Sequence, residues 1–366
     1  MWAIAVVLGA LFAAPARAQS GPVASAAAAP SSESSVSQPL GFVRGFADVG
    51  AGYSGGDGDA GFHVGSLDLY FTPQLSARVK SLIELVFEFT DTGELAVDLE
   101  RLQVGYAFAE GATVWLGRFH TPLGYWNTAY HHGQQLQTSI TRPRFIDFED
   151  KGGVLPVHTL GVFIAGSPRV LGGRIRYDAF VGNSPSLADG TLDPRNVGGP
   201  DTSLSAGFNV GYRPSGRLDG LTVGIHGYQA KVRDTDAIES TFALRTLGGY
   251  AGLESDTWEL LAEYYHFRNH EVSANGAGPN SWAGFVQFGR RFDRVIPYGR
   301  VEEGSFARGD GFFSRQRFGQ SYEQWSLGVR YDVTPSAALK VEAYRVTEQD
   351  LDRRESGARL QWAIHF

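Results

Sequence analysis

The chain closes on Gly357-Ala358-Arg359-Leu360-Gln361-Trp362-Ala363-Ile364-His365-Phe366. Side chains alternate across an extended strand with period two. Ala358, Leu360, Trp362, Ile364 and Phe366 therefore share one face. Gly357, Arg359, Gln361 and His365 share the other, with Ala363 among them. One face is apolar and the other wet. Together with an apolar leader at the opposite end, this tail predicts the last strand of a barrel whose outside meets lipid.

The same alternation recurs upstream. Val79, Ile83, Leu85, Phe87 and Phe89 oppose Lys80, Glu84 and Glu88. Ile175, Tyr177, Ala179 and Val181 oppose Arg174, Arg176 and Asp178. Leu204, Ala206, Phe208, Val210 and Tyr212 oppose Ser203, Ser205, Asn209 and Arg213. Trp258, Leu260, Ala262 and Tyr264 oppose Glu259 and Glu263, and Trp325, Leu327, Val329 and Tyr331 oppose Gln324, Ser326 and Arg330. A sandwich would bury its apolar face in a core. Here the opposite face carries charges of both signs on strand after strand, which suits a water-filled lumen. The predicted lumen wall is Lys80, Glu84, Glu88, Arg174, Arg176, Asp178, Glu259, Glu263, Arg300, Glu302, Arg330, Lys340, Glu342 and Arg359. Cross-strand pairing that merely stiffens the wall is the plainer role for many of these. The runs near 42–53, 113–119 and 241–253 break alternation and are placed by spacing alone. Tyr70, Trp115, Tyr212, Trp258, Trp282, Tyr298 and Tyr331 fall near run ends, as an interfacial aromatic girdle requires.

The connections alternate short and long. Short ones fall near 72–74, 110–111, 167–168, 214–216, 255–256, 293 and 334–336. Longer ones cover 54–60, 90–94, 120–157, 183–202, 233–240, 268–280, 303–321 and 347–355. Outer-membrane barrels have short periplasmic turns and longer outer loops. The expected fold is therefore all-β: a single transmembrane antiparallel β-barrel of about 16 strands, wide enough for an aqueous channel.

Residues 2–12 form an apolar run, and Ala16-Arg17-Ala18 supplies a small-x-small cleavage pattern. Residues 1–18 are expected to be a cleaved signal peptide, although a charged n-region is absent. The run is shorter than the ~20 residues a membrane-spanning helix needs. Residues 19–40, rich in Ala, Ser and Pro, read as a flexible spacer. Residues 41–366 read as one barrel domain. Aromatic residues make up 13% of the chain beside 47 Gly, fitting strands with interfacial rings and tight turns. The absence of Cys excludes thiol chemistry and Cys-ligated zinc. A net charge of -7 argues against nucleic acid as a partner. It does not set pore selectivity, which follows local charge at a constriction.

The longest insertion, 120–157, carries the candidate site. A structureless loop of this length is uncommon unless functional or disordered. Folded into the lumen, it would narrow the pore and set opposed charges across a narrow gap, a field that sorts solutes by charge. The predicted constriction residues are Arg118, His120, Arg142, Arg144, Asp147, Glu149, Asp150 and Lys151. An ordinary outer loop with solvated charges is the competing reading; the loop's aromatic residues favour packing.

Leu116-Gly117-Arg118-Phe119-His120-Thr121-Pro122-Leu123-Gly124 resembles the strand-to-loop segment of the phosphate-selective porin family and related Gram-negative porins. Gly328-Val329-Arg330-Tyr331-Asp332-Val333-Thr334-Pro335, followed by Leu339-Lys340-Val341-Glu342-Ala343-Tyr344-Arg345, resembles the penultimate hairpin of that group. Phe366 resembles the terminal residue such barrels present to the assembly machinery. The resemblance implies an outer-membrane, sixteen-stranded, trimeric diffusion channel for small hydrophilic solutes or ions. It also implies that the third outer loop forms the constriction. It does not carry phosphate selectivity, because Asp147, Glu149 and Asp150 are mixed among Arg142, Arg144 and Lys151.

Other signals are weak. Gly52-Tyr53-Ser54-Gly55-Gly56 matches a nucleophile pattern but leads into a Gly-rich turn rather than a helix. His131-His132 is a poor metal pair, because adjacent residues on an extended chain point apart. Asp57-Gly58-Asp59 and Asp189 with Asp193 complete no calcium loop. No phosphate-cradling loop is present. The chain is therefore expected to be no enzyme and to use no cofactor or metal. Three alternatives remain: an outer-membrane barrel enzyme, a barrel with a blocked lumen acting structurally or as an adhesin, and a soluble secreted β-protein that binds a ligand.

Overall fold

Sixteen long strands succeed one another along the chain, each antiparallel to the next, and the last returns to the first. In the computed structural model the described residues are 43–366, except 56–58, 91–92, 110, 132, 150, 198–201, 217, 237–239 and 275–277. The expected signal peptide and spacer lie outside the described residues, as do His132 and Asp150. The wall strands are β1 (Val43–Ser54), β2 (Ala60–Phe71), β3 (Val79–Phe89), β4 (Leu95–Ala109), β5 (Ala112–His120) and β6 (His158–Gly166). They continue as β7 (Gly173–Asn183), β8 (Leu204–Pro214), β9 (Leu221–Asp234), β10 (Thr241–Glu254) and β11 (Trp258–Arg268). The circuit ends with β12 (Asn280–Arg290), β13 (Val295–Ser305), β14 (Tyr322–Thr334), β15 (Ala337–Glu348) and β16 (Arg353–His365). β1 pairs with β16 from Phe46↔His365 to Ser54↔Gly357, so the sheet is closed. Closure leaves the sixteen wall strands without an open edge among the described residues.

The outside is apolar. On β4, Leu95, Val97, Leu99, Leu102, Val104, Tyr106 and Phe108 are all exposed, from 41% for Tyr106 to 62% for Phe108. The C-terminal strand behaves as its alternation predicts: Leu360 and Trp362 are exposed, while Gln361 and Ala363 are buried. So continuous a belt of exposed apolar side chains is foreign to a water-facing surface.

Two of the register shifts re-aim charged side chains. One lies on β2, where Gly65 and Ser66 together oppose Asp48 of β1. The other lies on β4, where Glu84 pairs with Arg101 and the next residue, Leu85, pairs with Leu99, leaving Glu100 as the extra residue. A bulge re-aims side chains locally. Here it places the acid Glu100 directly before Arg101 and returns Leu102 to the outside. On β10 alternation falters because Phe242 and Leu244 are buried with an interior apolar cluster, so its inward face is apolar there.

Part of the aromatic girdle is corrected. Trp258, Trp282, Tyr212 and Tyr331 share register with the exposed apolar face. Tyr70 instead lies against Arg101, whose guanidinium sits 5.3 Å from its ring centroid. Trp115 stacks on Phe163 at 6.1 Å, on the same face as Gly105. Tyr298 is buried and donates to Glu342 at 3.0 Å. These three rings serve the interior, because their register matches inward neighbours.

Candidate functional site: an inward loop on a charged wall

Residues 121–157 leave the end of β5 and return to β6 through α1 (Trp126–Ala129) and a short 3-10 turn (Arg144–Ile146). Their apolar residues bury against inward-facing rings of the wall. Trp126 is fully buried, edge-on to Phe285 at 5.6 Å and to Tyr130 at 5.2 Å. Phe145 lies 5.0 Å from Tyr265. Gly124 adopts φ +72°, and a Cβ there would collide with Glu263 and Tyr265. Only glycine lets the chain lie this close to the wall.

The polar ties run from wall side chains to loop backbone. Glu263 accepts from the Trp126 N–H at 2.6 Å. Arg300, 1% exposed, donates to Thr141 O at 2.7 Å, Thr141 Oγ1 at 2.8 Å, Ser139 Oγ at 3.0 Å and Arg142 O at 3.1 Å. Glu302 accepts from the Arg144 N–H at 2.6 Å. Lys340 donates to Ser139 O at 3.0 Å and to Gln134 O. Arg330 donates to Gln137 O at 2.8 Å, and Glu342 accepts from Thr141 Oγ1 at 2.9 Å. Glu259 accepts from Thr138 Oγ1 at 2.6 Å. These wall side chains face the loop and hold it instead of lining open water. A buried ion needs such partners, since desolvation alone costs several kcal/mol.

The loop's own charges divide into anchors and bridges. Arg142 is buried and donates to His131 O at 2.7 Å and Asn127 Oδ1 at 2.9 Å; burial pulls its pKa down from the ordinary value. Asp147 lies 3.7 Å from it. Arg144 reaches Glu348 and sits 4.9 Å over the Tyr322 ring. Glu149 accepts from the Val157 N–H at 2.8 Å. Lys151 crosses to Glu88 at 3.1 Å. Tyr125 and Tyr130 both donate to Glu254. Burial first, then the Glu254 charge, hold both phenols well above the usual tyrosine range, so they act as donors.

The remaining predicted residues are less involved. Arg118 donates to Glu100 O at 3.0 Å and to Arg195 O. Arg176 pairs with Asp178 at 3.3 Å, Arg174 donates to Ser167 O at 3.2 Å, and Arg359 sits 4.0 Å over the Tyr344 ring. Lys80 forms an isolated bridge with Gln74. Phe366 exchanges backbone hydrogen bonds with Gly45 at 2.9 and 3.0 Å.

A second inward segment supports the first. Asp310 caps α2 (Gly311–Arg315), accepting from Phe312 N at 3.1 Å. Burial pushes its carboxyl up to about 6. Phe306, Phe312 and Phe313 join the same cluster as Trp126 and Phe145. Alternation predicts a hydrated interior, and this part of it is dry. The rings come from loops, where strand periodicity carries no information. Trp126→Ala will loosen the loop by about 3–5 kcal/mol, the usual cost of emptying a buried aromatic site. Faster protease cleavage within 121–157 checks it; wild-type resistance would refute the packing role.

The closed sixteen-strand barrel, apolar outside and charged inside with an inserted loop, is the fold of outer-membrane porins. The chain is similar in structure to the anion-selective porin from Comamonas acidovorans, with TM-score 0.57, 14% identity, and 89% of this chain and 99% of that chain covered. It is similar to Salmonella typhi OmpF in complex with daunomycin, with TM-score 0.59, 13% identity, and 89% and 97% covered. It is also similar to a loop L8 deletion mutant of OmpT, an outer membrane protein of Vibrio cholerae, with TM-score 0.59, 12% identity, and 89% and 100% covered. At these identities the likeness establishes the fold. No protein-family model matches the chain, and no curated protein matches it.

Proposed function

We propose that the protein is an outer-membrane porin: a channel for passive diffusion of small hydrophilic solutes or ions, filtered at the inward loop. The observation that carries this reading is the pairing of an exposed apolar belt with an inner wall of acidic and basic side chains that anchors residues 121–157. Lipid accommodates the first, and only a closed barrel keeps strand backbone satisfied there. Arg142, Arg144, Asp147, Glu149, Lys151 and the flanking Arg118 and His120 form the filter, and Asp150 belongs to the same segment. The proposed partners are outer-membrane lipid, permeating solutes, two further copies of the chain in a homotrimer, and the barrel-assembly machinery. The trimer draws support from a solved trimer form of Vibrio cholerae OmpT. The likeness to phosphate-selective porins rests on residues 116–124, 328–335 and 339–345. Residues 1–18 are proposed as a cleaved signal, and no enzymatic activity is assigned.

Fractionation tests the membrane assignment. The protein should require detergent for release, and recovery in the detergent-free soluble fraction would overturn the reading. Removing Phe366 should cut the yield of folded barrel several-fold while export continues; an unchanged yield would count against its role in assembly. A second reading, a barrel with a blocked lumen, is favoured by the dry cluster around Trp126, Phe145, Phe312 and Phe313. It predicts insertion without conductance.

A further inference from the structure

At the root of the inward loop three imidazoles converge. His120 and His158 are the last pair of the β5–β6 hairpin. The loop returns His131 between them. Its ring stacks on His120 with centroids 3.3 Å apart, and its Nε2 lies 3.1 Å from His158 Nε2. One ligand nitrogen from each of the three lies within 4.8 Å of the others. Two carboxylates adjoin them. Glu84 Oε2 is 3.3 Å from His120 Nε2, and Glu100 contacts His158 Nε2. The bulge on β4 is what brings Glu100 here.

The tautomer of His131 is fixed by its neighbour. Asn127 Nδ2 donates to Thr121 O at 2.6 Å, so its Oδ1 is the acceptor at the other end. Oδ1 faces His131 Nδ1 at 2.7 Å and also accepts from Arg142. His131 therefore carries its proton on Nδ1 and presents the Nε2 lone pair to His158. A buried lone pair facing a second imidazole nitrogen at this distance requires a cation or a proton between them. Metal-ligating histidines are held in this way, by an acceptor on the opposite nitrogen.

We propose that His120, His131 and His158 bind a borderline divalent transition metal of the zinc, nickel or copper type, with Glu84 or Glu100 completing the set. Three imidazoles with a carboxylate suit these ions, whereas calcium and magnesium prefer all-oxygen sites. Arg101 also binds Glu84 Oε2 and Arg118 lies 4.0 Å from Glu100, so the two carboxylates offset a dication only in part. Such an ion ties the end of β5, the loop and the start of β6 into one unit, cinching the loop at its stem. The site does not depend on whether the barrel conducts.

The test uses the full chain, folded in detergent and stripped with chelator, then titrated with Co2+ alone and with Zn2+ in competition. One equivalent of Co2+ should bind with a visible d–d band that Zn2+ displaces. H131A and H158Q, each checked for heat-modifiable migration, should lose affinity by roughly 100-fold, and N127A by about tenfold. If those variants do not fold, Cu2+ electron paramagnetic resonance on the unaltered chain decides: coupling to three nitrogens supports the site. No band at millimolar Co2+, an undiminished band in folded H131A, or two or fewer coupled nitrogens would overturn it. In that case a shared proton occupies the gap.

Discussion

Excising residues 130–150 will raise single-channel conductance by roughly twofold or more, because the narrowest water column sets the current. The reason lies in the wall. Arg300, Glu302, Lys340 and Glu342 are buried now because the loop covers them. Removing one partner of a buried ion strands the other, at about 3–5 kcal/mol. Removing the whole segment instead returns these ions to water, where they need no protein partner. The closed hydrogen-bonded wall is untouched, since the ladders run between neighbouring strands. The excised barrel should fold and conduct more. Unchanged conductance in a folded, inserted deletion would reject the loop as the constriction.

The second large effect is on the outside. Leu327 is 60% exposed in the middle of β14, paired with Gly299 and Ala343. On a water-facing surface, Leu327→Arg would be within about half a kcal/mol of neutral. Facing hydrocarbon, it costs about 2–4 kcal/mol near the bilayer midplane. Reversible guanidinium unfolding in lipid vesicles measures the difference. A destabilisation in that range supports lipid contact, and a neutral outcome contradicts it.

The fold was legible because period-two alternation is a direct imprint of a wall with an apolar outside and a polar inside. Trp258, Leu260, Ala262 and Tyr264 against Glu259 and Glu263 need nothing else. Connection lengths then gave the strand number, since turns and loops alternate around a closed sheet. Five things were hidden. A bulge adds one residue with no compositional mark, so Glu100 and Arg101 were not recognisable as adjacent acid and base on the interior. Aromatics at run ends were ambiguous, because Trp115 and Tyr298 differ from Trp258 only in register parity. The state of the wall charges was hidden for another reason. Arg330 and Lys340 are satisfied mainly by backbone carbonyls of the loop, and Arg300 partly so; carbonyls have no sequence signature. The histidine trio was invisible too: His120, His131 and His158 meet only because the loop turns back on its own stem. Glu254 and Asn127 escaped notice likewise, since their roles are set by what the loop brings to them.

One measurement bears most directly on the whole account. Purified protein is added to a planar bilayer bathed in a salt gradient, and current is recorded at fixed voltage. The expected result is discrete ohmic steps with a non-zero reversal potential set by charges near Arg142, Arg144, Asp147, Glu149 and Lys151. Protein that enters the bilayer and gives no steps would contradict it and leave a sealed barrel in its place.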